Sequence, residues 1–299
     1  MTTSPDLPTS FPKPRLTQAL APLTCEINAV NEYGEQLAVF IPAERALTVY
    51  VDKRELVTLM TLGAHPEWLV LGFLRNQRLV TSVHDIESIT VDWDVGAAAV
   101  KTRHGISDIE EKTSKRVVTT GCGQGSVFGG LMDEVDQIKL PADAKLTQVQ
   151  LYSLVNTIRL KETTYKSAGS VHACALFDTV AGEPEMLIFV EDVGRHNAID
   201  TIAGWMWIQG RPASKNTQIF YTTGRLTSEM VIKSAQMGVA VVVSRSGITQ
   251  MGHQVAQSVG LCAIGRATNK RFVCYANPQR LQFEPGLLVR SESETSAGI

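Results

Sequence analysis

The second half of the chain constrains the fold most, because apolar runs too short for helices alternate there with stretches of helical period. Leu187 to Val190 precedes a stretch from about Asn197 in which Ile199, Ile202, Ala203 and Met206 recur on one face. Ile219 to Tyr221 precedes one from Ser228 to Met237, and Val239 to Val243 precedes one from Gln250 to Val259. Leu261 to Ile264 and Phe272 to Tyr275 close the series. Short, wholly apolar strands must be covered on both faces, so the alternation predicts an α/β layer with helices packed on a sheet. Val171 to Phe177 and Met186 to Val190, flanking Ala181-Gly182-Glu183-Pro184, read as a hairpin that joins this sheet.

The first half reads differently. Leu47 to Val51, a turn at Asp52-Lys53 and Leu56 to Met60 make a hairpin. Pro66 opens a short, nearly all-apolar and therefore buried helix to Leu74, and strands follow at Ile86 to Val91 and Ala97 to Thr102. Pro141-Ala142-Asp143 marks a boundary, after which Thr147 caps a helix carrying Leu151, Leu154, Val155 and Ile158. The expected organisation is a disordered arm over 1–15, a smaller mixed α+β domain over 16–140, an α/β domain over 141–290 and a polar tail over 291–299. Overall the class is α+β.

Composition narrows the function. A net charge of −2 in 299 residues, with 44% hydrophobic and 19% charged residues, gives no field that would gather nucleic acid. The longest apolar runs fall far short of the roughly 18 residues a membrane span needs. The first fifteen residues contain no apolar core of a secretory signal. Five irregularly spaced cysteines fit reduced thiols in a cytoplasm better than a disulfide framework.

Ligands of open α/β sheets bind just beyond the carboxyl ends of strands, and an arginine stands beside a glycine or serine at each such end here. The segments are Glu191-Asp192-Val193-Gly194-Arg195-His196-Asn197, Thr222-Thr223-Gly224-Arg225, Ser244-Arg245-Ser246-Gly247 and Gly265-Arg266-Ala267-Thr268-Asn269-Lys270-Arg271. Guanidinium forks, helix N-termini and glycine-exposed backbone together suit phosphate oxygens. The expected ligand is a polyphosphate-bearing small molecule, a nucleotide or nucleotide-containing cofactor. Its candidate contacts are Asp192, Arg195, His196, Gly224, Arg225, Ser244, Arg245 and residues 266–271. His196 reads three ways: as an acid or base beside Asp192, as a helix cap, or as a phosphate contact.

The candidate nucleophile is Cys122, in Thr119-Thr120-Gly121-Cys122-Gly123-Gln124-Gly125-Ser126, with Lys112, Lys115 and Arg116 upstream. Cations and backbone N–H groups raise the thiolate fraction of a cysteine, and glycines keep a loop open to an approaching partner. The plainer alternative is a small residue in a turn. His172 and Cys174 share a side of their strand, but no second pair at zinc spacing and no Cys-x-x-Cys exists, so no metal site is expected. Cys25, Cys262 and Cys274 read as packing residues, and Trp68, Trp93, Trp205 and Trp207 as core or interface anchors.

Gly121-Cys122-Gly123, Glu191 to Asp200, Thr223-Gly224-Arg225 with Ser228 to Val231, Val243 to Ser246, and Gly265 to Arg271 followed by Tyr275 resemble the FdhD family over most of the chain. That resemblance implies a sulfurtransferase that carries sulfur as a cysteine persulfide. The sulfur passes from a cysteine desulfurase to the Mo-bis(molybdopterin guanine dinucleotide) cofactor before the cofactor enters formate dehydrogenase. It implies Cys122 as the carrier and Arg266, Ala267, Thr268, Asn269, Lys270 and Arg271 as a cofactor loop, with GDP or GMP as mimics. It further implies a C-terminal three-layer cytidine-deaminase-like domain without zinc ligands, a homodimer, and a cytoplasmic location. A nucleotide deaminase is suggested only by that fold, and the missing zinc ligands set it aside. One departure bears on mechanism: the family commonly has Cys-Gly-x-Cys-Gly, whereas Gly125 stands here where the second thiol would be. The alternative function is therefore a chaperone that binds the cofactor for formate dehydrogenase without moving sulfur.

Overall fold

Alternation of buried and solvent-facing residues builds the first sheet. The computed structural model describes residues 12–106, 117–118, 125–126, 135–161, 163–180, 182–211 and 216–287. The hairpin of β4 (Arg45–Val51) and β5 (Arg54–Thr61) forms as expected, with Leu47, Val49, Val51, Leu56 and Leu59 turned into the core. Its turn residues Asp52 and Lys53 have φ of 47° and 73°, the left-handed pair whose twist matches that of the flanking strands. With β1 (Arg15–Leu16), β6 (Ile86–Asp92) and β7 (Ala97–Thr102), the sheet order is β1-β6-β7-β4-β5. The arm expected over 1–15 thus gives up Arg15 to a parallel pairing with Ser88, because Leu16 next to it packs on the core.

Helix α1 (Pro66–Asn76) lies against this core through Leu69, Val70, Phe73 and Leu74. The pair β2 (Thr24–Val30) and β3 (Gln36–Pro42) was not expected. Seven antiparallel partners, from Thr24↔Pro42 to Val30↔Gln36, make it a separate two-stranded ribbon with Ile27, Leu37 and Phe40 exposed. β8 (Val117–Val118) pairs antiparallel with β9 (Gly125–Ser126) and so brackets the six residues that include Cys122. Cys122 itself lies outside the described residues, as do Lys112, Lys115 and Arg116.

Beyond these come β10 (Leu146–Thr147), which pairs with β17 (Leu281–Gln282), and α2 (Gln148–Leu160). Thr147 caps α2 in a reciprocal box with Gln150. A five-residue helix, α3 (Thr164–Ala168), follows. The strands β11 (His172–Asp178), β12 (Glu185–Asp192), β13 (Gln218–Thr222), β14 (Val241–Ser244), β15 (Cys262–Thr268) and β16 (Arg271–Ala276) form one sheet in the order β12-β11-β13-β14-β15-β16. The connecting helices are α4 (Arg195–Ile208), α5 (Ser228–Gln236) and α6 (Gln250–Ser258). β13, β14 and β15 run parallel and β16 antiparallel to β15, the α/β layer the alternation predicted within an α+β whole.

Two compact units result, and neither is continuous in sequence. The first holds residues 1–134, 162–174 and 189–212; the second holds 135–161, 175–188 and 213–299. The single division expected near residue 140 is replaced by several crossings. The physical reason is α4, which is buried on nearly every side and packs on α1 within the first unit. Glycine allows that contact. A Cβ on Gly72 would sit 1.7 Å from the Asp200 carbonyl oxygen, and one on Gly204 would sit 2.0 Å from that of Trp68. Polar groups seal the same seam: Asn76 Nδ2 donates to Asp200 Oδ1 (2.6 Å) and Arg75 donates to the Ala203 carbonyl (3.1 Å). Burial lowers the Arg75 guanidinium to about 10, and its plane rests 5.3 Å from the centre of the Trp207 ring.

Candidate functional site: an arginine edge and the Asp192 motif

Parallel register sets the arginine edge of the second unit. Thr222 stands opposite Ser244, and Val243 opposite Ile264, so the carboxyl ends of β13 and β14 lie side by side next to the middle of β15, which runs on to Thr268. Arg225 and Arg245 come just beyond those two ends and Arg266 lies within β15, all three exposed and without an ion-pair partner among the described residues. Lys270 is exposed in the turn that follows, and Arg271 is exposed at the start of β16.

The loops that carry these cations are tied to one another. Ser244 Oγ donates to the Gly224 carbonyl (2.7 Å), while Thr222 Oγ1 accepts from Gly224 N (3.1 Å). Arg245 N donates to the Thr222 carbonyl (3.0 Å), Leu226 N to that of Gly247 (2.9 Å), and Arg266 N to that of Ser246 (2.7 Å). Gly224 and Ser244 therefore act through their backbone and hydroxyl as braces of the edge, and both are buried.

Arg266 is held in a conformation that costs energy. Its φ is 52°, within a register shift between Gly265 and Thr268, so a bulge re-aims this side chain out of the sheet's pleat. Gly265 is required beside it, since a Cβ there would come within 2.7 Å of both the Ser246 carbonyl oxygen and the Tyr275 ring. Ala267 is buried, whereas Thr268 and Asn269 are exposed. Helices α5 and α6 begin shortly after the Arg225 and Arg245 loops, and their N-termini add positive partial charge. Such an edge can bind several anionic oxygens.

Asp192, Arg195 and His196 belong to the first unit and are only 3–4% exposed. Asp192 Oδ1 accepts from Gly194 N (3.2 Å) and Asn197 Nδ2 (2.9 Å), and Oδ2 from Thr61 Oγ1 (2.5 Å) and Leu62 N (3.3 Å). Asn197 Nδ2 also donates to the Met60 carbonyl. The Asp192 carboxyl is thus the knot that ties the start of α4 to the end of β5. Burial raises it above the usual carboxylate range, although all four of these hydrogen bonds favour the charged form. Glu191 caps α3 by accepting from Thr164 N and Tyr165 N, at 2.6 Å and 3.1 Å. Glu229, in another of the segments that carry the family resemblance, is buried in an ion pair with Lys233 (3.3 Å).

The FdhD/NarQ family matches residues 42–282, which span every element from β4 to β17. The chain belongs to the FdhD/NarQ family. A Bacillus subtilis protein named sulfur carrier protein FdhD is 31% identical over 245 residues, 80% of this chain and 89% of that one. Its namesake in Bacillus pumilus is 30% identical over 244 residues, 80% of this chain and 88% of that one. A crystal structure described as a formate dehydrogenase accessory protein from Desulfotalea psychrophila superposes with a TM-score of 0.71 at 22% identity. It covers 87% of this chain and 100% of that one, and supports the fold.

This member of the FdhD/NarQ family also pairs two cysteines that sequence reasoning left as packing residues. Cys262 Sγ and Cys274 Sγ lie 3.8 Å apart across β15 and β16. Cys174 is buried near the Arg195 carbonyl, 4.0 Å from its sulfur, and Cys25 is exposed on the β2–β3 ribbon. Among the described residues no cluster of three or more His, Cys, Asp or Glu side chains is placed to hold a metal. No described helix is long and apolar enough to cross a membrane.

Proposed function

We propose that this protein is a sulfur carrier in the maturation of formate dehydrogenase. The observation that carries the reading is the set of Arg225 and Arg245, just past the ends of β13 and β14, with Arg266 on the bulge of the neighbouring β15, all exposed and unmatched by carboxylates among the described residues. That set suits the diphosphate of a guanine dinucleotide, and the relatives named sulfur carrier protein support the sulfur chemistry. Arg225, Arg245 and residues 266–271 bind the Mo-bis(molybdopterin guanine dinucleotide) as acceptor. GDP or GMP would mimic its nucleotide end. Asp192, Arg195 and His196 enter this reading as residues that shape the motif from within.

The Cys122 thiolate attacks the outer sulfur of a desulfurase persulfide, a new S–S bond forms at Cys122, and the desulfurase cysteine leaves as thiolate. No net oxidation occurs in that step. The protein works in the cytoplasm as a homodimer, with a cysteine desulfurase and a formate dehydrogenase as partners. The six-stranded sheet serves as a cytidine-deaminase-like layer that binds a nucleotide without zinc. Incubation with a cysteine desulfurase and cysteine should add about 32 Da per sulfur at Cys122, and nothing in Cys122→Ala. No labelling at Cys122 overturns the proposal. A second reading, a cofactor-binding chaperone, is favoured by Gly125. It requires that Cys122→Ala still activate formate dehydrogenase while Arg245→Ala and Arg266→Ala do not.

A further inference from the structure

Gly125 removes the thiol that would stand beside Cys122, and with it a local source of two electrons. Release of a persulfide's outer sulfur as sulfide needs such a pair. Cys262 and Cys274, with sulfurs 3.8 Å apart, are the two thiols brought together among the described residues. Cys262 opens β15 and Cys274 lies in β16, where Ala263 pairs with Ala276 and Ile264 with Cys274. Tyr275 is therefore the extra residue of a bulge, which bends β16 at the cysteine.

The pair is asymmetric. Cys262 is fully buried, whereas Cys274 is partly exposed and also lies 3.5 Å from the Ala276 carbonyl oxygen. The hydrogen bond from Cys262 holds Cys274 below the usual thiol range, while the same bond and burial push Cys262 up. A partly exposed cysteine of raised thiolate fraction, with a buried second sulfur 3.8 Å away, is the arrangement of an attacking and a resolving thiol.

We propose that Cys262 and Cys274 form a redox-active dithiol that reduces sulfane sulfur to sulfide and closes to a disulfide between β15 and β16. The Cys274 thiolate attacks the outer sulfur of a persulfide R–S–SH; the S–S bond breaks and R–S⁻ leaves with a proton. The resulting Cys274 persulfide is attacked at its inner sulfur by Cys262, whose proton goes to the departing sulfide. In sum, two thiols are oxidised to one disulfide, and the persulfide is reduced to a thiol and hydrogen sulfide. A small external thiol restores the pair by exchange. The use of this reaction rests on the sulfur-carrier reading; the reaction itself does not.

The test uses the reduced full-length chain bearing Cys122→Ala, incubated with cysteine persulfide. Sulfide release should accompany a loss of about 2 Da, with a disulfide-linked peptide pair containing Cys262 and Cys274. Cys262→Ser should stop at a Cys274 persulfide, about 32 Da heavier, with sulfide release down by about tenfold or more. Cys274→Ser should react at neither position. If the unsubstituted pair gives no linked peptide, or Cys262→Ser releases sulfide as fast as the parent, the dithiol is not redox-active. The linked peptide is read on the unsubstituted pair, so misfolding of a serine variant leaves the test decisive. Failure of Cys122 labelling by a desulfurase would sink the carrier reading while leaving this result untouched.

Discussion

The Asp192 motif and the arginine edge look alike in sequence, and the protein uses them in opposite ways. Each follows a strand and each sets an arginine beside a glycine or a serine. In the first unit the motif folds inward: Asp192 gathers four donors and Arg195 and His196 are buried. In the second unit the loops spend their own hydroxyls and amides on one another and leave Arg225, Arg245 and Arg266 in water. Motif polarity therefore divides into groups bound up in the fold and guanidiniums left exposed, and only the second kind should be removable without cost to stability.

The sharpest attack on this contrast is at the α1–α4 seam. Gly72→Ala or Gly204→Ala places a methyl group inside backbone contact distance, so equilibrium denaturation should show a loss above about 3 kcal/mol or no soluble protein. A loss below about 1 kcal/mol would mean the helices part easily, and the first unit is not the rigid half.

Asp192→Ala should come next, with about 2–4 kcal/mol lost as several buried donors lose their acceptor. Asp192→Asn sharpens the point through pH. Because burial raises the folded carboxyl above its unfolded value, its contribution is full below the ordinary aspartate range and declines as pH rises through the folded value. The stability gap between parent and Asp192→Asn should therefore narrow with rising pH; a gap that widens would mean the hydrogen bonds outweigh burial.

Smaller effects belong to the edge. Arg225→Ala, Arg245→Ala and Arg266→Ala should each weaken GDP binding by about tenfold in calorimetry, with stability unchanged within about 0.5 kcal/mol. Unaltered affinity in all three would dissolve the phosphate argument. Smallest is Arg266→Gly, which relieves a left-handed φ and should gain up to about 1 kcal/mol while binding still falls. Loss of both would place Arg266 in the fold rather than at a ligand.

Much of the α/β layer was legible because its strands are short, apolar and separated by helices of regular period. Asp52-Lys53, Pro66 and Thr147 likewise marked their turn, helix start and cap correctly. Three features were not. Arg195 and His196 read as candidate ligand contacts at a strand end, and their burial within α4 had no signal in the sequence. Gly72 and Gly204 look like ordinary helix-weakening glycines until a second backbone arrives against each. The β2–β3 ribbon keeps apolar side chains exposed, so its pattern lacked the burial logic by which strands are recognised.

The stitches that join the loops after β13 and β14 to each other and to the bulge of β15 have a thermodynamic consequence. With Gly224, Arg245 and Arg266 already anchored through backbone and hydroxyl bonds, little main-chain freedom would be left to lose on binding the proposed anionic ligand. The entropic penalty of capture falls mainly on three guanidinium rotors, of the order of 0.5–1.5 kcal/mol each. A prearranged scaffold of this kind leaves most of its attraction to appear as affinity.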